Sequence, residues 1–179
     1  TGISVPSGWT NQPKTITLSG AGDNGTPLYD DSGKVTGYGG SGLAKKQYKL
    51  ASAADSTAVE ITGDSFEVAE NGEYFLILTD SLGNQSRQLF TVSGIDTDPP
   101  EADLSSSDYG SSQDWQQEVE VTLTFSDAGS GVASVKTGFT SSNASRPASG
   151  LTEHPDFDGG TVSVSTTSSS HRYLYYEVT

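Results

Sequence analysis

The pentapeptide Gly40-Ser41-Gly42-Leu43-Ala44 returns as Gly129-Ser130-Gly131-Val132-Ala133. Other features repeat around it in the same order. Trp9 and Trp115 each lead into an apolar-alternating run, and Glu73-Tyr74-Phe75-Leu76-Ile77-Leu78-Thr79 matches Tyr173-Leu174-Tyr175-Tyr176-Glu177-Val178-Thr179. A repeat on this scale fixes the organisation as two copies of one unit, where length alone allows one domain or two. Each copy holds roughly 80–100 residues, enough for one two-sheet core with little to spare.

The pattern within each copy is that of short strands. Ile3–Val5 leads, and Lys14–Ser19 puts Ile16 and Leu18 on one face. Further strands are predicted near 44–50, 57–61, 65–69, 73–79 and 87–92. Asn71-Gly72 lies between Phe66/Val68 and Tyr74/Leu76 and reads as a tight turn, since both residue types tolerate positive φ. In the second copy Glu118–Phe125 alternates, with Val119, Val121, Leu123 and Phe125 on the inward face. No apolar run of helical period reaches useful length. Leu18 to Gly40 spans 22 positions and Leu123 to Gly129 only 6, so the first copy carries an insertion of about 16 residues in the Gly/Asp-rich loop 20–42. Surface insertions are thermodynamically cheap, and this one is either decoration or the functional loop.

Hydrophobic residues make up 32% of the chain and formal net charge is −14. Residues 1–97 carry 6 Lys/Arg against 11 Asp/Glu and residues 98–179 carry 3 against 12. Nine scattered cations cannot track a phosphate backbone, which disfavours nucleic acid as a partner. The acids read either as solubilising charge or as carboxylates gathered for a hard cation. The absence of Cys leans towards a bacterial surface module or a cytosolic one. With no Met, the expectation is a chain that starts mid-protein. Between the copies, Ile95-Asp96-Thr97-Asp98-Pro99-Pro100 forms an acidic linker stiffened by its proline pair.

Trp-Thr-Asn-Gln-Pro at 9–13, Glu-Asn-Gly-Glu-Tyr at 70–74, Thr-Asp-Ser-Leu-Gly-Asn at 79–84, Ile-Asp-Thr-Asp-Pro-Pro at 95–100 and Ser-Asp-Ala-Gly-Ser-Gly-Val-Ala at 126–133 resemble bacterial immunoglobulin-like (Big-type) repeats. The resemblance covers nearly the whole chain. It implies an all-β protein of two tandem Ig-like β-sandwich domains, residues 1–94 and 101–179, joined by the linker at 95–100. The second sandwich lacks its last strand, because the segment equivalent to residues 80–92 is missing. It also implies an extracellular setting, secreted or attached to a cell surface or wall. The family has no single ligand, so it supplies a class of job and no partner.

An Ig-type sandwich brings the entering chain and the loop after the second strand to one end. That places Asp127 near Asp96, Asp98, Glu101 and Asp103, an oxygen-rich set suited to calcium. The same geometry in the first copy gathers Asp23, Asp30, Asp31 and Asp80. The competing reading is that these acids form turns. Tyr29 and Tyr38, with Asp30 and Asp31, are a candidate ligand-binding set in the insertion, where flat rings beside carboxylates suit a sugar face. Against it stands a loop folded back on its own domain, with the tyrosines as anchors. Trp9 and Trp115 are expected to cap the sandwich ends. His154-Pro155-Asp156-Phe157-Asp158 reads as an exposed turn rather than a metal site, and His171 as a surface residue. Three Asn-x-Ser/Thr triplets, at Asn24, Asn84 and Asn143, fit the glycosylation pattern. Lys14 is a candidate for an isopeptide crosslink with no partner indicated.

No nucleophile elbow, nucleophile–base pair or distinct carboxylate pair stands out, so no catalytic residue is assigned. The expectation is a non-catalytic stalk or adhesive module, monomeric, flanked by neighbouring repeats, with a host-surface or cell-wall protein or glycan as partner. It inserts in no membrane. The alternative is an accessory glycan-binding or spacer module of a large secreted polysaccharide-active enzyme. A third reading is a module that dimerises by strand exchange at the incomplete second copy.

Overall fold

The computed structural model describes residues 1–179 apart from residues 24, 106–117, 142–145, 148, 155–156, 158–159 and 168–172 and the side chains of 38, 105 and 119. Trp115, Asp156, Asp158, His171, Asn24, the Asn143 triplet and the Tyr38 side chain therefore lie outside the described residues. The described chain is all-β, with every strand ladder antiparallel and a single 3-10 turn at Asp55–Thr57. It divides into two compact units, Thr1–Thr97 and Asp98–Thr179.

The first unit runs β1 (Gly2–Ser4), β2 (Lys14–Ser19), β3 (Thr26–Tyr29), β4 (Val35–Gly39), β5 (Leu43–Leu50), β6 (Val59–Glu60), β7 (Ser65–Val68), β8 (Gly72–Asp80) and β9 (Gln85–Val92). One sheet has the order β1-β2-β7 and the other β6-β5-β8-β9. They share one core: Ile16, Leu18 and Val68 come from the first sheet, and Leu76, Phe90 and Val92 from the second. Strand β2 shows why these residues form a strand, since Lys14, Ile16 and Leu18 are buried while Thr15, Thr17 and Ser19 are exposed. A fully buried aliphatic or aromatic side chain is worth about 1.5–3 kcal/mol, so this set supplies most of the unit's stability.

Two expectations need correction here. Strands β7 and β8 do not form a hairpin around Asn71-Gly72; β7 pairs with β2 and β8 with β5 and β9. No non-glycine residue among those described has positive φ, so Asn71 is not in a two-residue hairpin turn. Its side chain acts as a substitute peptide instead. Asn71 Nδ2 donates to Ile95 O at 2.6 Å, and Ile95 N donates to Asn71 Oδ1 at 2.9 Å. This ties the crossover between sheets to the end of the unit. The second correction concerns the insertion, which is a hairpin, β3 paired with β4 from Thr26↔Gly39 to Tyr29↔Val35.

The chain leaving β9 is fastened to its own beginning. Thr10 and Ile95 make an isolated parallel bridge, with Thr10 N donating to Gly94 O and Asp96 N to Thr10 O, both at 2.9 Å. Ile95 is buried in the first core. Residues 95 and 96, read from sequence as linker, are thus bonded into the first unit.

The second unit runs β10 (Glu101–Ser105), β11 (Val119–Ser126), β12 (Val135–Thr140), β13 (Thr152–His154), β14 (Gly160–Thr166) and β15 (Tyr173–Val178). Its sheets are β10-β11-β14 and β13-β12-β15. The core again draws on both: Val121, Leu123, Phe125 and Val162 face Val135, with Phe139, Leu174 and Val178 packed against them. Strand by strand this is the order of the first unit, without the hairpin and without a strand on the outer edge of β15 among the described residues. His154 is not in an exposed turn. It ends β13, its Nε2 is 3.0 Å from the buried Thr137 Oγ1, and Phe157 turns edge-on to Phe125 at 5.7 Å.

Candidate functional site

The acids singled out by sequence are mainly turn formers. In the second unit Asp127 Oδ1 accepts the amides of Gly129 at 2.9 Å and Gly131 at 2.8 Å, drawing the Gly-Ser-Gly motif round one carboxylate. Gly131 has φ +86°, a backbone that an L side chain rarely adopts, which explains the glycine. In the first unit the hairpin interrupts this motif, yet the arrangement is rebuilt. Asp23 Oδ1 accepts the Gly25 amide at 3.2 Å and Oδ2 the Gly42 amide at 3.1 Å; Gly42 has φ +83°. One carboxylate thus grips both ends of the insertion. The Gly25 and Gly40 backbones are so close to the opposite strand and to Asp23 that an added Cβ at either would collide, at 2.3 and 2.8 Å.

Asp80 faces the same place. Its Oδ1 accepts the Leu82 and Asn84 amides at 2.9 and 2.8 Å, and its Oδ2 the Asn84 side-chain amide at 2.8 Å. Asn84 is therefore committed to this turn. The Asn84 side chain first, then its backbone amide, the Ser41 hydroxyl and the Leu82 amide hold the Asp80 carboxyl below the usual 3.8. Ser41 Oγ also lies 3.2 Å from Asp23 Oδ2. Having one proton, it serves one carboxylate at a time. Asp23 and Asp80 line a hollow of about 210 Å³ with Leu43, Leu78 and Asn84. Asp30 and Asp31 are not part of it. Asp30 sits at the hairpin tip, where its Oδ1 takes the Ser32 hydroxyl and the Ser32 and Lys34 amides at 2.6, 2.9 and 3.0 Å. The Ser32 hydroxyl is the main reason its carboxyl stays below 3.8.

In the second unit Asp98, Glu101 and Asp127 line one hollow of about 410 Å³ with Pro99, Ser126 and Ala128. Asp103 is two residues further along β10, exposed and paired with Thr124. Asp96 belongs to the first unit. Among the described residues no three His, Cys, Asp or Glu side chains come together in a set able to hold a metal ion.

The hairpin presents its apolar residues to solvent. Tyr29 is 62% exposed, Leu28 51% and Val35 42%. Tyr29 therefore does not anchor the insertion to its domain; Asp23 holds the two ends of the hairpin and Asp30 shapes its tip. Trp9, at 58% exposed, does not cap the sandwich either. That end is closed by Lys14, buried at a position that alternation assigns to the core. Its Nζ donates to Pro6 O, Gly8 O and Ser93 O at 3.0, 2.7 and 2.6 Å. All three ammonium protons are engaged by carbonyls, which gives Lys14 a clamping role and no crosslinking partner among the described residues. The bond from Asp23 to Gly42 could have been found only by reading Asp127 against its own Gly-Ser-Gly and asking what replaces it.

No helix among the described residues is long and apolar enough to cross a membrane. Comparison with models of known protein families returns no match, and no curated protein matches the chain.

Proposed function

We propose that the chain is a tandem pair of Ig-like β-sandwich modules with a mechanical or adhesive task, part of a bacterial secreted or cell-surface protein. The observation that carries this reading is the repeated sheet order, β1-β2-β7 with β6-β5-β8-β9 in one unit and β10-β11-β14 with β13-β12-β15 in the other. The first strand region pairs with β2 through β1, and Thr10 makes an isolated parallel bridge to Ile95 beyond β9, which is in keeping with the divided first strand of Ig-type sandwiches. Asp23, Asp30, Asp80 and Asp127 accept backbone amides in their own turns, which supports a turn-rich scaffold. Calcium would be the sharper version; Asp98, Glu101 and Asp127 line one hollow without forming a set able to hold a metal ion as they stand, so an ion there would have to draw them together. Single-molecule stretching tests the mechanical role. Units of 97 and 82 residues give separate unfolding steps of roughly 340 and 290 Å of contour at about 3.5 Å per residue. Unfolding at negligible force in either unit contradicts it.

The second reading, presentation of the β3–β4 hairpin to a protein or glycan, is favoured by the exposed Leu28, Tyr29 and Val35. Loss of cell-surface or glycan binding on excising the hairpin tests it.

A further inference from the structure

The two edges of the inserted hairpin are not alike. Strands β3 and β4 pair only with each other among the described residues, so each has one side open. Strand β3, Thr-Pro-Leu-Tyr, carries Pro27, which has no N–H to offer a further strand and guards that edge. Strand β4, Val-Thr-Gly-Tyr-Gly, has no Pro, no Lys and no charge. Its one protection is the irregularity opposite Leu28/Tyr29, beside the tip, which leaves residues 37–39 in regular register with 26–28. A two-stranded ribbon is marginal alone, and a third strand is what makes such a sheet stable.

Gly37, on that open edge, has no internal reason to be glycine. Its φ is outside the left-handed region, and a Cβ built on it meets nothing within 4 Å. Gly25 and Gly40, by contrast, have no room for one. A glycine inside a strand weakens it and marks a place where another backbone comes close. Leu28, directly opposite Gly37, is exposed, and it leans over Gly39, whose built Cβ lies 3.2 Å from Leu28 Cδ2. The face of β4 next to Leu28 is therefore a bare glycine strip, open on its outer side. Past its end the surroundings are negative. Ser41, two residues beyond β4, lies 3.2 Å from Asp23 Oδ2 and also serves Asp80, one proton for two carboxylates.

We propose that the outer edge of β4 accepts an extended segment of a partner protein as a third, antiparallel strand. The occupant carries Lys or Arg where it passes Ser41 and an aromatic residue four positions later, opposite Gly37. The cation meets Asp23 and Asp80, and the ring lies across Gly37 onto Leu28, as aromatic side chains cover edge glycines in sheets. Main-chain hydrogen bonds provide affinity, and these two side chains provide selectivity. The hairpin is organised beforehand, its base gripped by Asp23 and its tip by Asp30, which lowers the ordering cost of binding. A second copy of the chain is a poor occupant, since it brings a net charge of −14 to another −14. The inference narrows the hairpin-presentation reading and rests on it.

The test titrates the capped peptide acetyl-Lys-Thr-Val-Thr-Phe-Thr-Val-amide into the intact 179-residue chain and follows its amides by NMR. The expected result is saturable shifts confined to residues 35–39 and their pairing partners 26–29. Affinity should fall about threefold or more between about 0.05 and 0.5 M salt, since the cation contact is exposed. Gly37→Lys has open space for its side chain and puts a charge on the edge; it should weaken binding about tenfold or more. The peptide with Ser in place of Phe should fail equally on the unmodified chain, a control independent of how any variant folds. Tyr29→Ala, on the opposite face of the hairpin, should bind as before. The proposal is overturned by no saturable shift at millimolar peptide, by equal binding of the Ser peptide or of Gly37→Lys, by loss of binding in Tyr29→Ala, or by dimers of the chain alone formed through these amides. Loss of the β3–β4 pairing in the unmodified chain overturns the hairpin reading itself; intact pairing with an indifferent β4 edge overturns only this proposal.

Discussion

Asp23 and Gly42 stand nineteen positions apart and are joined by a hydrogen bond of 3.1 Å, the bond that Asp127 makes at 2.8 Å to Gly131 only four positions on. The carboxylate-to-glycine clamp is what the repeated Gly-Ser-Gly motif encodes. Asp23→Ala and Asp127→Ala are each expected to destabilise their own unit by about 1 kcal/mol, or about 4–8 °C of melting temperature. The Asn substitutions, which keep an acceptor, lose less. Calcium bound near Asp127 would add about 2.7 kcal/mol at 100 times its dissociation constant. Melts in calcium and in EDTA separate a cation site from a plain turn, and the calcium gain must vanish in Asp98→Ala and Asp127→Ala.

The hairpin is expected to be dispensable for folding. Replacing residues 24–39 by a single Ala gives Asp23-Ala-Gly40-Ser41-Gly42, the sequence of the second copy from Asp127 to Gly131. Because loop length enters stability only logarithmically, the melting temperature of the first unit should move by no more than about a few degrees. Circular dichroism melts check this, and any ligand presented by Leu28, Tyr29 or Val35 is lost from the same variant.

Lys14→Met removes an ammonium that satisfies Pro6 O, Gly8 O and Ser93 O together. Leaving part-buried carbonyls without a donor costs about 1–3 kcal/mol. Urea denaturation should show a loss of about 2 kcal/mol in the first unit, with the second unchanged.

Much of this architecture was legible because the repeat and the strict alternation at Ile16/Leu18 and Val121/Leu123/Phe125 report burial directly. Three features were not. Asn71-Gly72 has hairpin composition, but the side-chain amide of Asn71 found a better partner in the backbone of Ile95, a contact 24 positions away that no local pattern reveals. The hairpin at 26–39 was hidden by its Gly and Asp content, and its alternation is interrupted by the irregularity at Leu28/Tyr29. Lys14 sits at a core position, where its charge argues for surface; only three carbonyls from distant segments reconcile the two. For the candidate site, grouping Asp98, Glu101 and Asp127 was readable from the expected chain path. Asp30 at its own turn was not, because Asp-rich loops look alike in sequence.

Acid should weaken the protein through a defined set of carboxylates. Asp30, Asp55 and Asp80 are held below 3.8, chiefly by the Ser32 hydroxyl, the Arg87 guanidinium and the Asn84 side chain, and Glu177 is held below 4.5 by Arg146. Lowered folded-state values mean that the unfolded chain takes up protons first. The stabilisation is complete above the ordinary carboxylate values and is lost as pH falls through the lower folded ones. Relief of self-repulsion in a chain of net charge −14 acts the other way. In high salt, which screens that repulsion, the melting temperature should be flat from neutrality to about pH 5 and fall below about pH 4.

The central claim is that the two units are copies of one sandwich, and residue-resolved amide exchange on the intact chain tests it most directly. The slowest amides of the first unit should lie in β2, β5 and β8, and those of the second in β11 and β12, with β15 protected on its β12 side alone. A second unit that protects a different set, or exchange showing β7 paired with β8 as a hairpin, would contradict the account.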